Sequence, residues 1–498
     1  MNQSRHTRRR RATATGIGLL QPVQISCHFE RRGTMSRLTR TRRAAPNTTS
    51  DHSPAKSGGH SKRITLHLAV RNENATAYGV LAGISLLFVG FGLTQNTPDA
   101  ILAGFARIIR STNILITDYV ALGGVGTAFV NAGLLMLASV GLLLLLRAPF
   151  RGITVAAVFL MGSFGLFGKN IYNVWPIICG TWLYSLLKRE SFAEHVYTAL
   201  FATSLAPIVT EFAFVLRLPG ETGAFFGILV GVSVGLVVAP LAAHLKNVHK
   251  GFSLYNVGFT AGIIGTVYVS LLKSYGYSTG VNLYWSEGNN TLFGVFLFGL
   301  FALFILLGAL LSARPLSGMK EILRESGQSC TDFVARSGFG AALINMGANG
   351  VIATGYVLLV GGPLNGPTIG GILTIAGFGA CGKHARNVIP ILLGVVLGSL
   401  TKVWHIDDPA VLLAALFGTS LAPVAGHYGW IWGVAAGFLN SSVALCSGVL
   451  HGGMNLYNTG FSAGIVAAFL VPLIEALPKR KPRIKPAPAQ ETAPAETV

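Results

Sequence analysis

The chain repeats itself. Thr117, Asp118, Gly124, Gly126, Asn131 and Gly133 recur as Thr331, Asp332, Gly338, Gly340, Asn345 and Gly347, at an offset of 214 residues. Without insertion the same offset carries Gly168, Lys169, Asn173, Pro176 and Gly180 onto Gly382, Lys383, Asn387, Pro390 and Gly394. After a two-residue slip Leu200 to Pro207 matches Leu416 to Pro423, and past a shorter loop Leu254 to Phe259 returns as Leu456 to Phe461. A duplication this long means that one module, used twice, makes up the core.

Composition decides the solvent. The chain is 51% hydrophobic and 11% charged, with its apolar residues in repeated stretches of about 17 to 25, the length that crosses ~30 Å of hydrocarbon. The net charge of +20 sits mostly at the ends: residues 1–75 hold 15 Lys/Arg against 3 Asp/Glu. That segment is too polar to bury a core and reads as a disordered cytoplasmic tail, with Met35 an alternative start; it does not read as a nucleic-acid-binding domain. The tail at 478–498 repeats the pattern. Five scattered cysteines, Cys27, Cys179, Cys330, Cys381 and Cys446, read as small buried hydrophobes, with no disulfide framework and no metal site.

Hydropathy gives seven spans in the first copy, near Ala77–Leu93, Tyr119–Leu146, Ile153–Phe167, Ile171–Leu187, Val196–Leu216, Ala224–Leu245 and Leu254–Leu272, and seven more in the second, from Leu292–Leu311 to Leu456–Leu473. The expected fold is an all-α integral membrane protein of about 14 transmembrane helices, in repeats at 76–274 and 291–477 joined by an extracytoplasmic loop at 275–290. An odd number of spans makes the repeats inverted. Short segments at Ile153–Phe167 and Pro367–Cys381 are the exception to watch: re-entrant turns there would make the repeats parallel. Basic residues such as Arg147, Lys188, Lys246, Arg324 and Arg386 then fall on the cytoplasmic side with both termini, in the plasma membrane. A short amphipathic piece follows the first span of each copy and reads as an interfacial helix.

Inverted repeats are the common plan of secondary transporters, with the solute site where broken helices of the two halves meet. Candidate lining residues are Thr203, Ser204 and Pro207 with Thr419, Ser420 and Pro423, where hydroxyls precede a proline that frees a carbonyl. A packed proline kink is the structural alternative. Asn131 and Asn345 line the path or hold helices together, and Asn256 and Asn458, next to Tyr255 and Tyr457, serve as gates or interfacial anchors. Asp118 and Lys169 fall toward one face, Asp332 and Lys383 toward the other, so an Asp/Lys bridge is expected at each mouth, as clip or gate. Glu211, whose counterpart is His427, is the candidate for proton coupling, with solvation beside Arg217 as the alternative.

No nucleotide loop, zinc-protease motif, CxxC pair or nucleophile elbow appears, so no cofactor and no enzymatic activity are expected. The doubled Gly-Lys-(Asn/His)-x-x-Asn-x-x-Pro, Thr-Ser-Leu-Ala-Pro and Leu-Tyr-Asn-x-Gly-Phe motifs resemble a bacterial multi-pass membrane family known only as a domain of unknown function, over roughly Tyr78 to Leu477. That family implies no substrate. The duplicated plan with short paired segments is similar to that of urea channels. The expected partners are the lipid bilayer and an unidentified small polar solute, homo-oligomerisation being open; the rival reading is a membrane scaffold or lipid-embedded enzyme.

Overall fold

The computed structural model of the protein describes residues 73–216, 220–277, 280 and 283–478. The basic N-terminal segment with Met35 and Cys27, Arg217, and the cluster beginning at Lys479 lie outside them.

The first module comprises α1 (Glu73–Gln95), α2 (Pro98–Arg110), α3 (Tyr119–Gly123), α4 (Val125–Leu145), α5 (Gly152–Gly165), α6 (Trp175–Lys188), α7 (Phe192–Ala202), α8 (Ala206–Thr210), α9 (Gly220–Leu245) and α10 (Asn256–Ser274). The second repeats it as α11 (Asn290–Leu311), α12 (Pro315–Ile322), α13 (Phe333–Ser337), α14 (Phe339–Leu359), α15 (Gly366–Gly377), α16 (Ala385–Thr401), α17 (Pro409–Gly418), α18 (Ala422–Tyr428), α19 (Trp430–Ser447) and α20 (Asn458–Ala476). Helix α1 already includes residues 73–75, which the composition places in the tail. Among the described residues ten helical stretches are long and apolar enough to cross a membrane, α7 with α8 and α17 with α18 each counting as one interrupted stretch.

The short apolar segments form helices in both copies. Helices α5 and α6, of 14 residues each, are about 21 Å long at 1.5 Å per residue. Helix α5 runs antiparallel to α4, with Gly162 against Met136 and Gly165 against Ala132. Helix α6 runs parallel to α9, with Gly231 against Pro176 and Gly235 against Ile177 and Thr181.

That last pairing needs glycine. A side chain on Gly180 would strike the Val232 carbonyl and one on Gly235 the Ile177 carbonyl, and Gly394 and Gly437 repeat this against Val434 and Ile391 between α16 and α19. In lipid, where apolar surface gains nothing by leaving one apolar solvent for another, helix pairs are held by such close backbone approach.

At the centre lie α5 and α15. Every residue of α15 is buried, as is every residue of α5 except Ile153. Gly152, starting α5, abuts the Ala380 carbonyl just beyond α15, and Gly366, starting α15, abuts the Leu166 carbonyl just beyond α5, so these equivalent helices run antiparallel. The Ser163 and Thr374 hydroxyls meet between them at 2.7 Å. Helices α10 and α20 cross at the equivalent glycines Gly258 and Gly460.

The two aspartates cap helices of the opposite module. Asp118 accepts from Val120 N at 2.9 Å in its own module, and from Gly366 N at 3.2 Å, where α15 begins. It also accepts from Ser286 N at 2.9 Å. Asp332 accepts from Ala335 N at 3.1 Å and from Gly152 N at 2.9 Å, where α5 begins. A helix start exposes amide hydrogens with no partner along the chain, and a carboxylate satisfies them while complementing the helix dipole. The expected Asp118–Lys169 and Asp332–Lys383 bridges therefore do not form, because the carboxylates are taken up by helix ends.

A disulfide joins Cys330 to Cys381, which corrects the expectation of none. Cys179 and Cys446 are exposed rather than buried, on helix faces where lipid is the solvent and a thiol needs no covering.

Candidate functional site: a buried lysine-tyrosine cluster between the modules

Each short central helix ends in the doubled Gly-Lys motif. Gly168 and Gly382 take φ of +88° and +85°, a left-handed turn that costs glycine little, and the chain then reverses into α6 or α16. The Asn131 side chain secures the turn by donating to Gly165 O at 2.7 Å and Lys169 O at 2.9 Å. Asn345 donates to Gly379 O and Lys383 O, both at 2.7 Å. Asn173 and Asn387 reach Gly168 O and Gly382 O, each at 2.9 Å. The four asparagines satisfy carbonyls that a broken helix leaves open, so Asn131 and Asn345 hold helix ends.

The turns place Lys169 and Lys383 in the interior, each wholly buried. The Lys383 ammonium donates to Tyr255 Oη at 2.6 Å and Thr419 Oγ1 at 2.8 Å. It also lies 4.7 Å from the Tyr255 ring centroid and 5.3 Å from that of Phe378. Lys169 makes the looser version: Tyr457 Oη at 3.2 Å and Met161 Sδ at 3.7 Å, with the Phe164 and Tyr457 ring centroids at 5.3 and 5.2 Å. In both cases lysine and tyrosine come from different modules, and the two tyrosine rings lie 6.3 Å apart. Among the described residues neither ammonium has a carboxylate within 4.0 Å. Burying an ammonium without a counter-charge is costly, and ring faces and hydroxyl oxygens offset only part of that cost.

The interrupted helices complete the cluster. A 3-10 turn at Thr203–Leu205 separates α7 from α8, and one at Thr419–Leu421 separates α17 from α18. The carbonyls freed there are used across the modules: Leu254 N donates to Ser420 O and Leu456 N to Ser204 O, both at 3.0 Å. Pro207 and Pro423, buried in the first turns of α8 and α18, keep the interruption in place because neither can donate to the preceding turn. Asn256 and Asn458 are not interfacial anchors. Each has its Oδ1 beside a buried histidine ring, His249 at 3.0 Å and His451 at 2.9 Å, and donates to the preceding helix at Ala242 O or Ala444 O.

Two cavities lined by equivalent residues of the two modules approach this cluster. One, of about 230 Å³, is lined by Tyr197, Phe201, Leu254, Asn256 and Cys330 and reaches Tyr255 and Tyr457. The other, of about 480 Å³, is lined by the equivalent Leu413, Phe417, Leu456, Asn458 and Ile116. Between them Phe164, Phe167, Phe378, Tyr255, Tyr457 and Phe417 form a continuous buried aromatic layer.

Glu211 and His427 are not brought together. Glu211 is buried where the helix after Thr210 loosens into a π-helical turn, and its carboxylate accepts from the Tyr277 hydroxyl. His427 is exposed near the end of α18, beside Phe252 and Tyr428. The buried placement of Tyr255 and Tyr457 lies beyond a linear reading that treats them as anchors. Their pairing with lysines of the other module was signalled only by the doubling of the motif that carries them.

Fold and site together define a multi-pass helical membrane protein in which two copies of one module interlock around a buried polar centre. The chain belongs to the family described as protein of unknown function (DUF1576), whose model matches it twice, over residues 97–274 and 311–476. One match falls in each module, leaving out α1 and all but the last residue of α11. No curated protein and no solved structure matches the chain.

Proposed function

We propose that the protein is a transporter or channel for a small polar solute, with the path along the interface of two inverted seven-helix modules that cross the plasma membrane 14 times in all. Antiparallel packing of the equivalent helices α5 and α15 supports inversion, since a two-fold axis lying in the membrane plane reverses every helix it relates. Parity agrees. With α5 and α6 each crossing, α1 and α11 enter from opposite faces.

Basic residues support the orientation. Arg147, Arg151, Lys188, Arg189, Lys246, Lys250, Arg314, Lys320, Arg324 and Arg386 gather at the face where Asp332 caps α5, which makes that face cytoplasmic and carries both termini with it.

The single observation that carries the function is the pair of cavities. Equivalent residues line the two recesses, and both recesses end on the same aromatic layer, as an inverted repeat would produce if each half formed one side of an alternating barrier. A scaffold has no need of matching recesses. The test is reconstitution in liposomes with a library of small metabolites and inorganic ions inside. Flux of at least one solute, lost in Tyr255→Trp, is expected; a library in which nothing crosses faster than in protein-free vesicles overturns the reading.

A further inference from the structure

We propose that Lys169 and Lys383 form a two-part anion centre, and that the solute is a small, singly charged anion. This rests on the transport reading for the identity of the solute, but the centre itself is a binding site whether or not anything crosses.

The argument begins with charge. Two ammonium groups occupy equivalent, fully buried positions, and among the described residues no carboxylate lies within 4.0 Å of either. The neighbouring carboxylates, by contrast, are committed elsewhere: Asp118 and Asp332 hold the amides of helix starts. Two buried lysines at equivalent positions, with no counter-charge among the described residues, leave a place for negative charge.

The remaining donors agree. An ammonium has three N–H bonds. Lys383 uses two on neutral oxygens, and Lys169 uses one on Tyr457 and offers another to the weak acceptor Met161 Sδ. The Ser204 and Ser420 hydroxyls, adjacent in sequence to Thr203 and Thr419, are also buried and without a hydrogen-bond partner in the structure. Each half of the centre thus holds donor capacity and no charged acceptor.

The surroundings set the class. Among the described residues Lys169 and Lys383 are the only fully buried Lys or Arg side chains, one per half, and Phe164 and Phe378 supply ring faces rather than hydrogen bonds. A phosphate-like dianion calls for clustered or bidentate cations. A single charge spread over a small anion that sheds water readily suits one ammonium, a hydroxyl and an aromatic wall. Inorganic monoanions and small monocarboxylates share that chemistry.

The two halves are also unequal. Both threonine hydroxyls donate to a carbonyl of the preceding turn, Thr203 to Leu200 O and Thr419 to Leu416 O, each at 2.6 Å, but only Thr419 also accepts from its lysine, so Lys383 is held by Tyr255 and Thr419 while Lys169 has Tyr457 alone among the oxygen acceptors. The looser half is where an anion finds the ammonium less committed.

The experiment uses the full-length protein purified in detergent. Thermal unfolding is followed in sodium nitrate and sodium acetate, each against sodium gluconate at equal ionic strength, with uncharged acetamide as the comparison for acetate. At least one of the two small anions is expected to raise the midpoint saturably, as a ligand bound only by the folded state must, and acetamide is expected to leave it unchanged. Nitrate alone would identify an inorganic solute, acetate a carboxylate. In Lys169→Gln/Lys383→Gln the anion shift should vanish, and Lys169→Met/Lys383→Met serves the same purpose should the glutamine variant fail to yield a monodisperse protein. No anion shift in the unsubstituted protein, or an equal shift in the double variant, overturns the anion centre. Flux through liposomes separates the two readings. An anion shift without flux of any solute keeps the centre and removes transport, and flux of an uncharged solute without an anion shift does the reverse.

Discussion

The Lys383 ammonium donates to the Tyr255 hydroxyl at 2.6 Å, from the second module to the first, and Lys169 returns the contact to Tyr457 at 3.2 Å. The two bonds close one reciprocal clasp across the interface. Their unequal lengths imply unequal dependence. A hydrogen bond involving a charged group contributes about 1.5–3 kcal/mol, so Tyr255→Phe should lower solute flux by roughly tenfold or more, at about 1.4 kcal/mol per factor of ten. Tyr457→Phe should act more weakly. Equal effects in a flux assay would contradict the asymmetry.

The reciprocal caps give a stability prediction. Replacing an N-cap carboxylate by alanine costs about 0.5–2 kcal/mol. Asp332→Ala should fall within that range, as read by thermal unfolding in detergent, and Asp118→Ala should cost more because it also holds Ser286 N and the Ser286 hydroxyl. Lys169→Met should not reproduce either loss, since neither aspartate leans on a lysine.

Asn131 and Asn345 each satisfy two buried carbonyls, and an orphaned buried polar group costs about 1–3 kcal/mol. Asn131→Ala and Asn345→Ala should therefore each depress the thermal midpoint by several degrees. Ser139→Ala, which removes only a bond back to Leu135 O in its own helix, should leave it within about a degree.

Burial pushes His249 and His451 below the ordinary histidine value of 6.5. Between the lowered folded value and 6.5 the unfolded chain binds more protons than the folded one, so stability is fully present above 6.5 and is lost as pH falls through the window beneath it. The thermal midpoint should drop between pH 6.5 and 5, and the drop should shrink in His249→Gln/His451→Gln. A drop of the same size in the double variant would assign it to other groups.

Inversion predicts opposite labelling of equivalent positions. Arg147, just after α4, and its counterpart Gly361, just after α14, are both exposed. In a background without the native cysteines, Arg147→Cys should react with a membrane-impermeant maleimide only from the cytoplasmic side, and Gly361→Cys only from the other. Labelling of both from one side would make the repeats parallel.

Much of this was legible along the chain, because the features concerned are local. Hydropathy reports the solvent of a segment, so the apolar stretches, including the short ones at Ile153–Phe167 and Pro367–Cys381, could be placed within a few residues. The duplication reports itself, and the 3-10 interruptions at Thr203–Leu205 and Thr419–Leu421 follow from a proline beside hydroxyls. What lay beyond the sequence was pairing across the modules. Asp118 and Lys169 read as natural partners because opposite charges attract, yet the nearest unsatisfied donors in space belong to helix starts nearly two hundred residues or more away, at Gly366 and Gly152. Tyr255 and Tyr457 look like residues at a water-lipid boundary until folding carries each beneath the other module's lysine. A sequence can state what each segment needs, whether lipid, a cap, or a hydroxyl for an ammonium. Which segment supplies it is decided only when the chain is packed, because many residues are chemically suitable and distance in space chooses among them.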